Sequence, residues 1–215
     1  MIVKPVTKVV PKENPALTNF LRHCHMKKYA ARSTIIHAGD DSDTLYYIIE
    51  GSVSVVIEDD DCNEIVLAYL NPGDFFGEMG LFEEHTKRSA WVITRHPCEI
   101  AEIHYSQFMV LATETPEILF QLSSQLASRL RSTSRKVSNL AFMDVAGRIA
   151  RALLELAQSP DAITHPDGMQ IKITRQELAK IVGCSREMAG HVIKNLEQDG
   201  LITAHGKTMV IFGTR

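Results

Sequence analysis

The chain has 215 residues, 45% hydrophobic and 23% charged, an ordinary globular balance that excludes disorder and allows one large domain or two modest ones. Its opening residues lack a secretory apolar run and no stretch approaches the ~20 apolar residues of a membrane span, so a cytoplasmic protein with no membrane contact is expected. The net charge of −3 hides an asymmetry: residues 1–126 hold 10 Lys and Arg against 18 Asp and Glu, whereas residues 127–215 hold 13 against 8, so a polyanionic partner suits only the C-terminal part.

In chain order, Ala16–Arg22 reads as a short helix. His23-Cys24-His25 follows it and invites a metal reading, but no second ligand pair stands at a usual spacing. The four cysteines, Cys24, Cys62, Cys98 and Cys184, lie far apart without a CxxC, which favours free thiols over a disulfide frame or a zinc site. No metal is expected.

Residues 30–110 read as short strands: Ser33–His37, Thr44–Ile49, Ser52–Ile57, Glu64–Leu70, Ser89–Thr94 and Cys98–His104. Turn-forming clusters separate them, among them Gly39-Asp40-Asp41, Glu50-Gly51-Ser52 and Asn71-Pro72-Gly73-Asp74. Many short strands at near-regular spacing predict an antiparallel, jelly-roll-like β-roll rather than a βαβ sheet.

Within this region, the segment from Gly73 to Ala90 differs from its surroundings. Gly77 and Gly80 allow a turn whose N–H groups can approach an anion. Arg88 offers a planar fork suited to phosphate, and Ser89 adds a hydroxyl. Glu78 would repel that anion unless it meets a ribose hydroxyl, so the set suits a nucleotide with one small phosphate and a free 2′-OH. An internal Glu78–Arg88 ion pair is the plain structural alternative.

Glu117–Phe142 reads as one long helix, with Pro116 at its start and no Gly or Pro inside. Leu119, Leu122, Leu126, Leu130, Val137 and Leu140 form an apolar line, and Thr133 completes a 4-3-4-3 spacing from Leu126 onward. The line can bury itself against a copy of the chain, giving a homodimer, or against the roll's own core.

Beyond Asp144, Val145–Gln158 is amphipathic, and Ile163 to Ile173 reads as a hairpin around Pro166-Asp167-Gly168. Thr174 and Glu177 form a capping box that opens a helix, Gly183 allows a sharp turn, and Ser185 caps a second helix. A second hairpin joins Leu201–Ala204 to Met209–Phe212. The arrangement predicts a winged helix-turn-helix. Arg186 and Glu187 occupy the first turn of its second helix, with His191 and Lys194 on the same side, where they can reach guanine and cytosine edges. Arg175, Lys194 and Lys207 suit phosphates. Solvated charges on an ordinary helix pair are the structural alternative. Enzymatic chemistry has no support: no nucleophile sits beside a paired base.

These residues carry a resemblance that covers almost the whole chain. The stretches GDFFGEMGLFEE, RSAW, HPDGMQIKITRQE, IVGCSRE and the closing GTR are similar to those of the bacterial cyclic AMP receptor (catabolite activator) family of helix-turn-helix regulators. The resemblance implies an α+β protein with three parts: a cyclic-nucleotide-binding β-roll over residues 1–115, a dimerisation helix and hinge over 116–143, and a winged helix-turn-helix over 144–215. It implies cyclic AMP as allosteric effector, with Glu78 on the 2′-OH, Arg88 and Ser89 at the cyclic phosphate beside Gly77, and Thr133 and Ser134 meeting the adenine. It further implies that the ligand extends the long helix through a hinge near Asn139–Asp144 and so aligns two recognition helices on a pseudo-palindromic DNA site. Arg175, Ser185, Arg186, Glu187, His191 and Lys194 match the DNA-contacting positions. His25 and Lys27 match one RNA polymerase patch, and Thr164, His165, Asp167 and Gly168 match another.

The sequence departs from the family pattern where His191 replaces an Arg, where Met188 replaces a smaller polar residue, and where Gln107 replaces a Lys of the polymerase patch. The Asp59-Asp60-Asp61 run offers a further acidic patch.

Overall fold

A computed structural model describes residues 15–60, 64–82, 87–159 and 161–214. Cys62, Asp61 and residues 83–86 of the glycine-rich segment lie outside them. These residues form two compact units. One takes in residues up to Val53, then Leu70–Arg88 and Ile93–Ala127; the other takes in Ser54–Tyr69, Ser89–Val92 and everything from Ser128.

The first elements are helix α1 (Pro15–Arg22) and strands β1 (His25–Tyr29), β2 (Thr34–Ile36), β3 (Thr44–Glu50), β4 (Val53–Glu58), β5 (Glu64–Leu70) and β6 (Phe75–Phe76). A 3-10 turn (Met79–Leu81), β7 (Trp91–Thr94), β8 (Cys98–His104) and helix α2 (Tyr105–Glu114) follow. One sheet has the order β1-β8-β3-β6, antiparallel throughout, and another has the order β2-β7-β4-β5. All six predicted strands are present. Three elements were not predicted. β1 reads His-Met-Lys-Lys-Tyr, almost wholly exposed, so it has no apolar alternation to betray it. β6 is only two residues long. α2 buries Phe108, Leu111 and Ala112, a spacing of three and then one that places them on one helical face.

The core of the first unit is aromatic. Phe20 of α1 is fully buried, with its ring edge-on to Tyr47, Phe75 and Phe108 at centroid distances of 5.9, 5.3 and 6.2 Å. Each such ring contributes about 1.5–3 kcal/mol through burial, plus the edge-to-face term.

Helix α3 (Glu117–Phe142) has the predicted bounds. Ile118 and Leu122 are fully buried in the aromatic core, with Leu119 and Leu126 partly buried beside them. Gln125 donates to the Gly73 carbonyl at 2.7 Å and accepts from the Phe75 amide at 2.9 Å. The opening turns of the helix therefore do cover the roll. Beyond them the apolar line is open: Leu130 is 69% exposed and Val137 60% exposed.

The remaining elements are α4 (Val145–Ala157), β9 (Ile163–His165), β10 (Gly168–Lys172), α5 (Arg175–Val182), α6 (Arg186–Gln198), β11 (Ile202–His205) and β12 (Thr208–Phe212). The four strands form an antiparallel sheet in the order β11-β12-β10-β9. Ile149, Leu153, Leu178, Ala189, Ile193 and Met209 join α4, α5, α6 and this sheet in one core. Asp144 caps α4, accepting from the Gly147 amide at 2.8 Å.

Candidate ligand cradle and nucleic-acid interface

In the cradle, β3, the loop after β6 and the first residue of α2 converge on one guanidinium. Gly77 follows β6 with φ 74, a left-handed conformation that side chains rarely adopt. Arg88 Nη1 donates to the Gly77 carbonyl at 2.9 Å and to the Tyr105 hydroxyl at 3.1 Å, while Nη2 donates to the Thr44 carbonyl at 2.8 Å. The Tyr105 hydroxyl also donates to the Gly77 carbonyl. The rings of Tyr46 and Tyr105 lie 5.6 and 5.9 Å from the guanidinium carbon.

These acceptors carry no formal charge, so they aim the fork without cancelling its charge. Arg88 and Glu78 are each only 8% exposed. Burying a full charge is costly unless it is matched. A small anion approaching the glycine turn would supply such a match, so the residues fit a phosphate group. A Cβ on Gly77 would stand 2.8 Å from Arg88 Nη1 and 3.2 Å from the Thr44 carbonyl, so this close approach requires glycine. Glu78 stands in the N-cap position of the 3-10 turn without a side-chain capping bond.

The sequence-predicted residues thus divide. Gly77, Glu78 and Arg88 lie in the first unit, with the charged side chains buried. Ser89, Thr133 and Ser134 lie in the second unit and are exposed, the last two on α3. Thr44, Tyr46 and Tyr105 were missed. They come from two distant segments, and nothing in their local sequence marks them as partners of Arg88.

Helix-turn-helix geometry follows the prediction closely. Thr174 Oγ1 accepts from the Glu177 amide at 3.1 Å, and the Glu177 carboxylate accepts from the Thr174 amide at 2.8 Å, completing the capping box. Gly183 ends α5 with φ 72. Ser185 caps α6, accepting from the Met188 amide at 3.1 Å. Ala189, Val192 and Ile193 of α6 are buried, while Arg186, Glu187, Met188, His191 and Lys194 are exposed. Arg175 crosses α6 at Gly190, where an added Cβ would lie 3.6 Å from Arg175 Cδ.

Among the residues assigned to polymerase contact, His25 and Lys27 are exposed on β1, with Lys27 Nζ 3.9 Å from Glu102 and 4.8 Å from the Tyr29 ring centroid. Thr164 and Asp167 are exposed at the β9–β10 turn, where His165 Nδ1 lies 3.6 Å from the Asp167 carboxylate. Gly168 is buried. Among the described residues no group of three His, Cys, Asp or Glu could hold a metal ion, and Cys24, Cys98 and Cys184 are free thiols. No helix among them is long and apolar enough to cross a membrane.

A β-roll with a buried Arg–Glu cradle, followed by a long helix and a winged helix-turn-helix, defines an effector-binding DNA regulator. Comparison with known proteins gives the same result. Residues 26–115 match the cyclic nucleotide-binding domain, and residues 147–212 match the Crp-like helix-turn-helix domain. The chain belongs to the family of cyclic nucleotide-binding transcription regulators with a Crp-like helix-turn-helix, and it is a DNA-binding regulator, not an enzyme.

It is 60% identical over 205 residues to the cAMP-activated global transcriptional regulator CRP of Pasteurella multocida, covering 95% of this chain and 98% of that one. It is also 60% identical over 202 residues to the cAMP-activated global transcriptional regulator Vfr of Pseudomonas aeruginosa, covering 93% and 94%. Among solved structures, the c-di-GMP responsive global regulator CLP of Xanthomonas campestris matches with a TM-score of 0.89 and 47% identity, covering 93% of this chain and 99% of that one.

Proposed function

We propose that the chain is a cyclic AMP-dependent, sequence-specific transcription regulator of the bacterial cytoplasm, working as a homodimer on a pseudo-palindromic site. The observation that carries the reading is the Arg88 fork, buried and aimed by neutral oxygens at a glycine turn beside the buried Glu78. The close relatives named for cyclic AMP activation support the choice of ligand. When bound, the cyclic nucleotide supplies an anionic phosphate and a ribose hydroxyl. Arg88 is assigned to the phosphate with Gly77 and Ser89, and Glu78 to the hydroxyl. Thr133 and Ser134 are assigned to the base on the strength of the family resemblance.

The functional division follows the sequence: an effector domain over residues 1–115, a dimerisation helix and hinge over 116–143, and a DNA-binding domain over 144–215. The open Leu130–Val137–Leu140 line is the surface for the second copy. Arg186, Glu187 and His191 read base edges from the major groove, while Arg175, Ser185 and Lys194 fix the register. His25, Lys27 and the turn Thr164, His165, Asp167 and Gly168 are the surfaces for RNA polymerase. Ligand can control DNA binding only by favouring the DNA-competent arrangement over the others.

A second reading, a cyclic dinucleotide effector, is favoured by the match to a c-di-GMP responsive regulator. Calorimetric titration with cyclic AMP, cyclic GMP and cyclic di-GMP, followed by gel shifts with and without each ligand, separates the two. Cyclic AMP is expected to bind and to switch on sequence-specific DNA binding. Binding of cyclic di-GMP alone would overturn the assignment.

A further inference from the structure

We infer that Glu64 and Lys180 form a positioning pair that ties the helix-turn-helix to an edge strand of the effector-domain match and couples ligand occupancy to the set of the recognition helix. The inference rests on the cyclic AMP reading above for its physiological ligand. Lys180 Nζ lies 2.5 Å from the Glu64 carboxylate, and the two side chains are 29% and 38% exposed. Glu64 opens β5 and falls within the cyclic nucleotide-binding match, whereas Lys180 sits on α5 within the helix-turn-helix match. The ion pair therefore bridges the two family domains.

Other contacts converge on the same strand. β5 is the outer strand of its sheet, so among the described residues one of its sides has no sheet partner. Lys136 of α3 donates to the β5 carbonyls of Val66 and Leu67 at 3.2 and 2.7 Å. Burial lowers the lysine's pKa from its usual value, with Glu155 opposing that effect. A Cβ on Gly183, in the turn between α5 and α6, would lie 3.8 Å from Ile65 of β5 and 3.9 Å from Leu140 of α3. Arg148 closes the circuit, donating to the Met143 carbonyl beyond α3 at 3.0 Å and to the Gly183 carbonyl at 3.5 Å. β5 thus serves as a common reference for the end of α3 and for the helix-turn-helix.

The neighbours of Lys180 show why it acts outward. Leu178, Ala179 and Val182 are the α5 residues buried in the DNA-binding core, and Lys180 is not among them. The direction in which α6 leaves the turn depends on Gly183 and the Ser185 cap, and both follow the last turn of α5, where Lys180 is held. A half-exposed ion pair adds little to global stability. The same small interaction can still shift a balance between arrangements, because ligand control depends only on differences between them.

The test uses the full-length protein as wild type, Glu64→Gln, Lys180→Met, the double variant, and the charge swap Glu64→Lys with Lys180→Glu. The readouts are the cyclic AMP concentration giving half-maximal operator binding by fluorescence anisotropy, the direct cyclic AMP Kd by calorimetry, and thermal midpoints. Each single variant is expected to raise the half-maximal concentration by about three-fold, the scale of one partly exposed pair, with the direct Kd weakened in the same direction by no more than that factor and the thermal midpoint little changed. The double variant should do no worse than either single, and the swap should recover most of the loss. Additive losses, no shift, or an unrecovered swap would overturn the inference. Wild type that binds no cyclic AMP would instead overturn the ligand reading. Hydrogen exchange of the α5 amides at saturating cyclic AMP then tests the pair independently: faster exchange in Glu64→Gln, reversed in the swap, supports it, and unchanged exchange overturns it.

Discussion

Arg88 Nη1 lies 2.9 Å from the Gly77 carbonyl oxygen, and a methyl group on Gly77 would stand 2.8 Å from the same nitrogen. Guanidinium and glycine are thus fitted to each other. Arg88→Leu should remove the cyclic AMP response, because charge-assisted bonds to phosphate are the strongest contacts the cradle can offer. The substitution also takes the Arg88 donor from the Thr44 carbonyl, while Gly77 keeps the Tyr105 hydroxyl, at a cost of about 1–3 kcal/mol in stability. Calorimetry should show no ligand binding, while gel filtration still shows a dimer. Wild-type affinity in this variant would end the cradle assignment.

Gly168 is expected to fail for a reason unrelated to any polymerase surface. Its Cβ would meet the Ile211 carbonyl at 2.0 Å, where β10 pairs with β12. Backbone cannot step aside as a side-chain tip can. Gly168→Ala should therefore destabilise the DNA-binding half by several kcal/mol, on the order of a severe core overpacking. Thr164→Ala, at an exposed position, should leave the thermal midpoint unchanged and bear only on transcription. Equal thermal midpoints for Gly168→Ala and wild type would contradict the packing argument.

The contrast between these two residues bears on what the sequence could reveal. Elements with a local signal were legible: α3 from its uninterrupted apolar line, β5 and β8 as short stretches with Ile, Val, Tyr or Leu set between turns, and the helix-turn-helix from its caps. β1 was not, because His25–Lys28 are all exposed and the strand is held by its pairing with β8, which no local pattern records. In the cradle, the charged pair and the glycine were legible by chemistry. The oxygens that aim Arg88 were not, since Thr44 lies 44 residues before it and Tyr105 17 residues after. The close approach that makes Gly168 indispensable is also a tertiary fact.

Exposure along α3 predicts where the dimer breaks. Leu130 and Val137 are 69% and 60% exposed in the single chain, so replacing them removes no intrachain core contact of note. Leu130→Asp combined with Val137→Glu should convert the dimer to monomer at micromolar concentration, measured by sedimentation. Specific DNA binding should fall with it, because two half-sites are then no longer held together. Leu122→Asp, in the fully buried stretch, should instead unfold the first unit. A double variant that remains dimeric would place the interface elsewhere.

Alkaline pH should loosen the roll next to the cradle. Burial pushes the Tyr46 phenol from its ordinary 10.0 up to about 12, against a smaller opposing pull from Arg88. Tyr46 stacks on Phe76 with ring centroids 4.8 Å apart. Between these two values the folded state keeps a proton that the unfolded chain releases, so stability is fully present below pH 10 and is lost as pH rises toward 12. Denaturant midpoints measured across that window should decline, and Tyr46→Phe should lessen the decline, the rest of which comes from Tyr29, Tyr47 and Cys24, also pushed up by burial. A decline of the same size in Tyr46→Phe and wild type would refute the assignment of this phenol to a half-buried site.

If the first turn of α6 reads DNA as proposed, its exposed residues should separate base contacts from phosphate contacts. Arg186 follows the Ser185 cap directly, so its side chain leaves the helix where the backbone N–H groups are still directed outward. A planar fork at that place can take the two acceptors of a guanine, and truncation should cost about 1–3 kcal/mol at a specific site. Arg186→Ala should bind random DNA almost as well as wild type, since a base contact contributes little to phosphate attraction. Lys194→Ala, at a position proposed above to meet phosphate, should weaken specific and random DNA alike and reduce the salt slope by about one unit. Anisotropy titrations at two salt concentrations, with operator and scrambled duplexes, distinguish the two patterns. Equal losses on both duplexes for Arg186→Ala would reassign that side chain to the phosphates and leave base reading to Glu187 and His191.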